Sequence, residues 1–572
     1  MATPLSEANC QVNTVSAQNA DTNPLNTTRS DKVPLMPIDA VSGIAAALGI
    51  GALIAYDLGT GAFVAPKWLF LGAMCAWVLA VSAVAIWRTS SFRVDIVDSL
   101  VALFLGYAWL SLAWSSDPLS GLGSAISLTV AAVLFVAVKR ADRAQLAVLV
   151  PVALTLAVAV VLARAVLVPS IVGGFGNENR TTEFLLLSAP FVAALAANRQ
   201  AWVRWFAISL VLAAAVYLFA FNDSKLELVA AAALGVWFLG RRWIGRGGWR
   251  TASLGAAIGM VLLMAGGVAL WRFGVDASIA VRLEIGTNTV LLWLEKPWFG
   301  HGLGSYAREY ARHQESHTTL LPALLQTNLF EAFRIVDRAH NEYLQVLAEL
   351  GVAGFAAAAT LLAVVVKGHV NKSDPTPLDH AATGCLVMVA AVALVDFPLQ
   401  NPSTALIATV ALGLAANDET GKRRTPTWIH LNAPSRGVRV GGSALCVALA
   451  LACVLAGVSE SVAARHYTQM QHQLATDPAR AFALNRLACR VYPPERRYRR
   501  QLFITLVSWL EKTGRRPVNR ETSDEAFAIS QGAAAHEPAL ILARARYLML
   551  TGTGSAEDIE PCSPRPRTSA PA

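Results

Sequence analysis

Charge is scarce in this chain. Only 15% of its 572 residues are charged, against 55% hydrophobic, and the mean hydropathy is +0.47. A water-soluble protein of this length needs far more polar surface to cover its core, so a soluble globular class is excluded. The seven cysteines include no CxxC pair and no Cys/His zinc spacing. Cys75, Cys385, Cys446 and Cys453 fall in apolar runs, where a thiol acts as a small hydrophobe. No Walker-type phosphate loop is present. Residues 1–36 are rich in Asn, Thr, Ser and Asp and lack the layout of a cleaved signal, so a disordered cytoplasmic tail is expected there.

What abounds is apolar runs of about 17 to 25 residues, each long enough to cross a bilayer as a helix. They predict an all-α polytopic membrane protein with about 13 transmembrane helices, at 38–57, 67–87, 96–115, 121–138, 144–168, 182–198, 205–222, 226–240, 252–271, 341–366, 380–396, 402–416 and 440–459. One set of short connections holds Arg88, Arg93, Lys139, Arg140, Arg143, Arg199, Arg204, Arg241, Arg242, Arg246, Arg250, Lys367, Lys372 and the basic run from Lys422 to Arg439. The opposite set holds only Lys67, Arg180 and Lys225. Basic residues stay on the cytoplasmic side, so the amino terminus is expected inside. The same bias makes a net charge of +9 ordinary without nucleic acid. The resulting organisation is helices over 37–271, a long periplasmic loop over 272–340, and further helices over 341–459. A small periplasmic helical region follows over 460–552, then a disordered tail over 553–572. Apolar spacing in 460–552, broken at Pro493-Pro494, resembles tetratricopeptide-like helix pairs.

This orientation sends the polar islands to the outer face: "GFGNENRTTEF", "FNDSKLE", the end of the long loop, and "DFPLQNP". The ordered set "GFGNENRTTEFLLLSAPF", "NDSKLELVAAAALG", "VRLEIGTNTVLLWLEKPWFGHGLGSYAREY", "HNEYLQVLAELGVAG" and "DFPLQNPSTALIATVALGL" resembles the O-antigen ligase and O-antigen polymerase superfamily over residues 170–415. The resemblance implies a GT-C-like membrane glycosyltransferase of the inner membrane. Its donor would be an undecaprenyl-diphosphate-linked glycan. Its acceptor would be lipid A–core for a ligase, another lipid-linked chain for a polymerase, or a protein Ser or Thr for an oligosaccharyltransferase. Ligation leads among the three.

The residues suit that chemistry. A departing lipid diphosphate carries negative charge that placed cations stabilise, and a guanidinium meets it with two hydrogen bonds. The resemblance marks Arg282 as a diphosphate clamp; an interfacial helix anchor is the bland alternative. Relatives usually have Arg where this chain has Lys225, after Ser224, which keeps charge but loses the fork. Snorkelling to headgroups explains that lysine equally well. His340 is the candidate general base, because an imidazole titrates near neutrality; a helix-capping role is its alternative. Asn341 stands beside it in the motif.

Glu342, Gln345 and Glu349 fall at i, i+3 and i+7, one polar stripe that either orients the base or binds neighbouring helices. For Glu349 the structural role leads. Asn177, Asn179 and Arg180 open a helix after a glycine-rich turn, where they either cap it or donate to phosphate and sugar. Arg164 either reaches the phosphate or snorkels. Tyr306 and Tyr310 repeat at i, i+4, a line for sugar stacking or for packing over the bundle. His301, His313 and His317 are spread apart, and "LGTGAFVAP" offers no Asp-x-Asp pair, so a metal-independent transfer without cofactors is expected. A transporter would show paired broken helices in repeated halves, and no such repeat is found. A scaffold would not need these outer cations.

Overall fold

The computed structural model describes residues 49–53, 65–88, 91–167, 178–221, 277–317, 336–372, 374–417, 427–432, 435–513, 520–534 and 538–551. The expected helices at 226–240 and 252–271, most of that at 38–57, and both terminal tails lie outside the described residues. The described residues are mostly helical. In order come α1 (Ala65–Arg88), α2 (Ile96–Leu110), α3 (Pro118–Arg140), α4 (Arg143–Leu167), α5 (Glu178–Ala194) and α6 (Ala201–Phe221). Then follow α7 (Ala277–Glu295), α8 (Tyr306–His317), α9 (Glu342–Val370), α10 (Pro377–Val392), α11 (Pro402–Ala416) and α12 (Arg436–Gln473). The carboxyl-terminal set is α13 (Pro478–Val491), α14 (Arg496–Thr513), α15 (Arg520–Ala534) and α16 (Pro538–Thr551).

Among the described residues, 8 helices are long and apolar enough to cross a membrane, α1 to α6, α9 and α12, while α10 and α11 are shorter apolar helices. Their outer faces leave Leu103, Leu110, Trp205, Leu212 and Leu451 exposed, as lipid contact requires. The inner faces of all but α2 and α9 share one core running from Leu71 and Leu154 through Phe184 and Phe191 to Met388 and Leu414.

Several of the basic connections meet at one end of the bundle. Lys139 Nζ lies 2.6 Å from Asp95 and 2.7 Å from Asp98, and Arg140 reaches Asp98 at 2.9 Å. Arg143 and Lys372 both meet Asp379. Asn417 Nδ2 donates to the carbonyls of Val138 and Ala141 at 3.0 and 2.9 Å. Here the fold departs from helices alone. Strand β1 (Ser91–Asp95) pairs antiparallel with β2 (Thr427–Asn432), Ser91 opposite Asn432, with an irregularity between Val94 and Asp95. Two connections given the same side by their charge are thereby tied to each other.

At the opposite end α9 is broken. Hydropathy predicts a continuous span, but Gly351 has φ 65° and ψ −171°, a conformation open to glycine alone. The loop after α7 fills the gap with backbone. His301 N–H donates to Ala348 O at 2.9 Å and Gly302 N–H to Glu349 O at 2.8 Å. In return Val352 and Ala353 N–H donate to Pro297 O and Trp298 O at 2.8 and 3.0 Å. These four bonds pair backbone groups that the break would otherwise strand in an apolar layer.

Helix α12 runs on past the expected end at 459 to Gln473 without a joint. Its last turns pack Ala463 and Tyr467 into the core of α13 to α16, around Tyr498, Phe503 and Leu506. This set docks on the broken end of the bundle. Arg499, with only 4% of its side chain exposed, donates to both oxygens of Asp117 at 3.0 and 3.1 Å and to Ser120 Oγ at 2.6 Å. Arg308 of α8 bridges the carbonyls of Ser116 and Gly532. Replacing Arg499 with Met strands a buried carboxylate, which costs about 3–5 kcal/mol. Thermal unfolding in detergent is expected to fall by several degrees; an unchanged transition would show the pair contributes nothing.

Candidate functional site

The segment 336–342 enters α9 at the broken end. Asn341 caps the helix, its side-chain oxygen accepting from Leu344 N–H at 3.0 Å while its amide donates to Leu394 O at 3.0 Å. Glu342 N–H donates to Ala393 O at 2.9 Å. These contacts turn the chain sharply, and His340 takes φ 48°, the left-handed region that a residue with a Cβ seldom adopts.

So placed, the imidazole faces Asp396, with Nδ1 3.4 Å from Oδ1. The other oxygen of Asp396 lies 3.9 Å from Nη2 of Arg282. Asp396 is 4% exposed in its side chain, His340 31% and Arg282 24%, so a buried acid stands behind two partly open bases. Phe397 meets the His340 ring edge-on at 5.0 Å between centroids, and Arg180 Cζ lies 5.7 Å from the Phe397 centroid. Arg180, Arg282 and His340 thus surround one corner, Asp396-Phe397, although they come from α5, α7 and the segment before α9.

A second carboxylate belongs to the corner. Glu183, one turn along α5 from Arg180, is buried and feels Asp396, Arg180, Glu342 and Arg282. Arg338 adds its field at Arg180, Glu342 and Glu349. Acids therefore stand among the guanidiniums, which helps to hold the cations in place. Lys67 is buried beside Arg164 and Arg180, extending the cations toward α1 and α4.

The polar stripe of α9 holds loops. Glu342 accepts from Leu399 N–H at 3.0 Å and from the Gln400 amide at 3.3 Å. Gln345 Oε1 accepts from Ala339 N–H at 3.2 Å. Glu349 accepts from Gly304 and Tyr306 N–H at 3.0 and 3.4 Å, acting as a remote cap for α8. Tyr306 and Tyr310 are buried rather than open to sugar. Their rings stack at 5.5 Å, and their hydroxyls meet Thr289 and Asn288 of α7. Burial pushes both phenols above their ordinary range. His301 is buried too, bonded to Leu292 O, and burial lowers its pKa from the usual value.

Of the residues singled out by sequence, the structure brings together His340, Arg282, Arg180, Asn341 and Glu342. Asn179 sits half-buried in the first turn of α5. Asn177 and Lys225 lie outside the described residues. Asp396, Glu183 and Lys67 were not singled out as site residues. A charge closing the apolar run "VMVAAVALVD", or standing within one as in "TTEFLLLSAPF", is the signal that marks them. Among the described residues, no cluster of three or more His, Cys, Asp or Glu side chains is placed to hold a metal ion.

Comparison with known families adds one match. A family described as O-antigen ligase matches residues 225–359, the stretch from Lys225 through Arg282 and His340 into the broken helix. This agrees with the resemblance found in the motifs. No curated protein matches the chain.

Proposed function

We propose that this protein transfers an oligo- or polysaccharide from undecaprenyl diphosphate to an acceptor at the periplasmic face of the bacterial inner membrane, with lipid A–core as the acceptor. The observation that carries the proposal is the convergence of His340 and Arg282 on Asp396, at the end of the bundle away from the basic connections. The amino terminus is cytoplasmic in this reading, and α13 to α16 are periplasmic.

The chemistry follows from the groups present. An acceptor hydroxyl attacks the anomeric carbon, and the new C–O bond forms as the bond from that carbon to the phosphate oxygen breaks. His340 takes the hydroxyl proton, while Asp396 orients the ring and offsets the positive charge it gains. The electron pair leaves with the lipid diphosphate, whose charge meets Arg282, Arg180 and Lys225. Asn177, Asn179, Asn341 and Glu342 support the shell. The leaving group is already a diphosphate, so no nucleotide is consumed.

Arg282→Ala is expected to cut transfer by about a hundredfold or more, the usual loss when one placed donor to a developing charge is removed. Transfer in membranes containing equal protein measures it, and near-normal rates would remove Arg282 from the site. Deleting the gene and profiling surface glycans tests the acceptor. Long chains missing from lipopolysaccharide but kept on the lipid carrier support ligation. Single repeats on lipopolysaccharide would instead make the protein a polymerase. A shifted glycoprotein with normal lipopolysaccharide would make it a protein oligosaccharyltransferase.

A further inference from the structure

We infer that the carboxyl-terminal helices position the His340 imidazole, gripping the segment before it through Asp337. The inference rests on the role given to His340 above. Its observations are independent of that role.

His340 stands in a left-handed backbone conformation, which persists only where the surroundings over-determine it. On its carboxyl side the bundle does this, through Asn341 to Leu394 and Glu342 to Ala393. On its amino side the holding groups come largely from α14. Asp337 is ion-paired to Arg496, and Arg500 Nη1 lies 3.6 Å from the same carboxylate. Arg496 also donates to Ala307 O of α8 at 3.4 Å, so one guanidinium fixes the segment and the helix beside it. Arg338 shares the field of Glu495, the residue preceding α14. Ala339, buried at 1% exposure, completes the run by donating to Gln345.

Both arginines are largely buried. Their side chains are 9% and 11% exposed, and α14 is itself fixed to the bundle by the buried Arg499–Asp117 pair. Arg497, two residues before Arg499, adds its field at Arg180, so the same helix borders the cationic corner. A base displaced by about 1 Å loses on the order of a hundredfold in rate. Asp337 and Arg496 are accordingly positioning residues: they touch neither donor nor acceptor, and they act through the backbone of His340.

The test uses the full-length chain in detergent or nanodiscs with a polyprenyl-diphosphate glycan and the acceptor identified by the deletion profile. Asp337→Ala is expected to lower kcat on the order of tenfold to a hundredfold with the donor KM unchanged. Asp337→Glu, which keeps the charge, is expected to restore most of it. Amide exchange is expected to rise in residues 336–341 of Asp337→Ala, with the unfolding temperature and exchange elsewhere unchanged, and to rise both there and in α8 in Arg496→Met, which also loses the bond to Ala307 O. Normal kcat in Asp337→Ala, or unchanged exchange across 336–341, would overturn the inference. So would equal losses in the Ala and Glu variants. If the wild-type protein itself transfers no glycan, the proposed function fails, and exchange still decides whether α14 holds the segment.

Discussion

Membranes carrying His340→Ala are expected to show no measurable glycan transfer, with the protein present at its normal level. General-base assistance alone contributes about 10²–10⁴ in rate. Among the described residues the imidazole has no substitute, since its neighbours in the corner are guanidiniums, which cannot accept a proton, and carboxylates set among them. The side chain makes one edge contact with Phe397 and faces Asp396, so its removal leaves the helical core untouched. Backbone and chemistry can be separated. Asn tolerates a left-handed backbone better than most residues, so His340→Asn keeps the turn at φ 48° while deleting the base. Both variants are expected to be inactive, with His340→Asn keeping wild-type stability. Full activity in either one would remove the histidine from the mechanism.

Gly351→Ala is expected to prevent the folded protein from accumulating. A methyl group there would sit 2.4 Å from Trp298 O and 2.6 Å from Gly300 N, and both neighbours are backbone that cannot swing aside. The conformation adds its own cost, about 1–3 kcal/mol for a residue with a Cβ. Moving the 297–302 loop away would instead unpair the four hydrogen bonds that close the break. The reciprocal change gives the same result, because a Cβ on Gly300 would lie 2.3 Å from Glu349 O. Loss of the monodisperse peak on detergent size exclusion, with normal transcript, measures this. A well-behaved Gly351→Ala protein would mean that α9 can run straight.

The bundle was legible in the sequence for a simple reason: a bilayer demands long apolar runs whatever the tertiary fold, so hydropathy alone located α1 to α6 and α9 to α12. The lysine and arginine bias likewise foretold which connections share an end, seen in Lys139 with Asp95 and Asp98 and in β1 with β2. Other features depend on contacts that no local pattern encodes. The break in α9 lies inside an apolar stretch with a glycine that hydropathy treats as neutral. Its cause is a loop some fifty residues earlier in the chain. An i, i+4 pair of tyrosines defines a face but not what covers it, and α7 covers Tyr306 and Tyr310. Asp396 was within a polar island, yet its importance comes from lying between His340 and Arg282, which only folding juxtaposes.

The jointless passage of α12 has a practical corollary for dissecting the molecule. A soluble fragment starting near residue 460 would begin mid-helix, with only about two turns left ahead of Tyr467 to hold it against Tyr498, 4.8 Å away between ring centres. It would also carry Arg499 without Asp117 and Arg496 without Asp337. Used as bait, such a piece would present surfaces that the intact protein never shows, and whatever it captured would report on the cut.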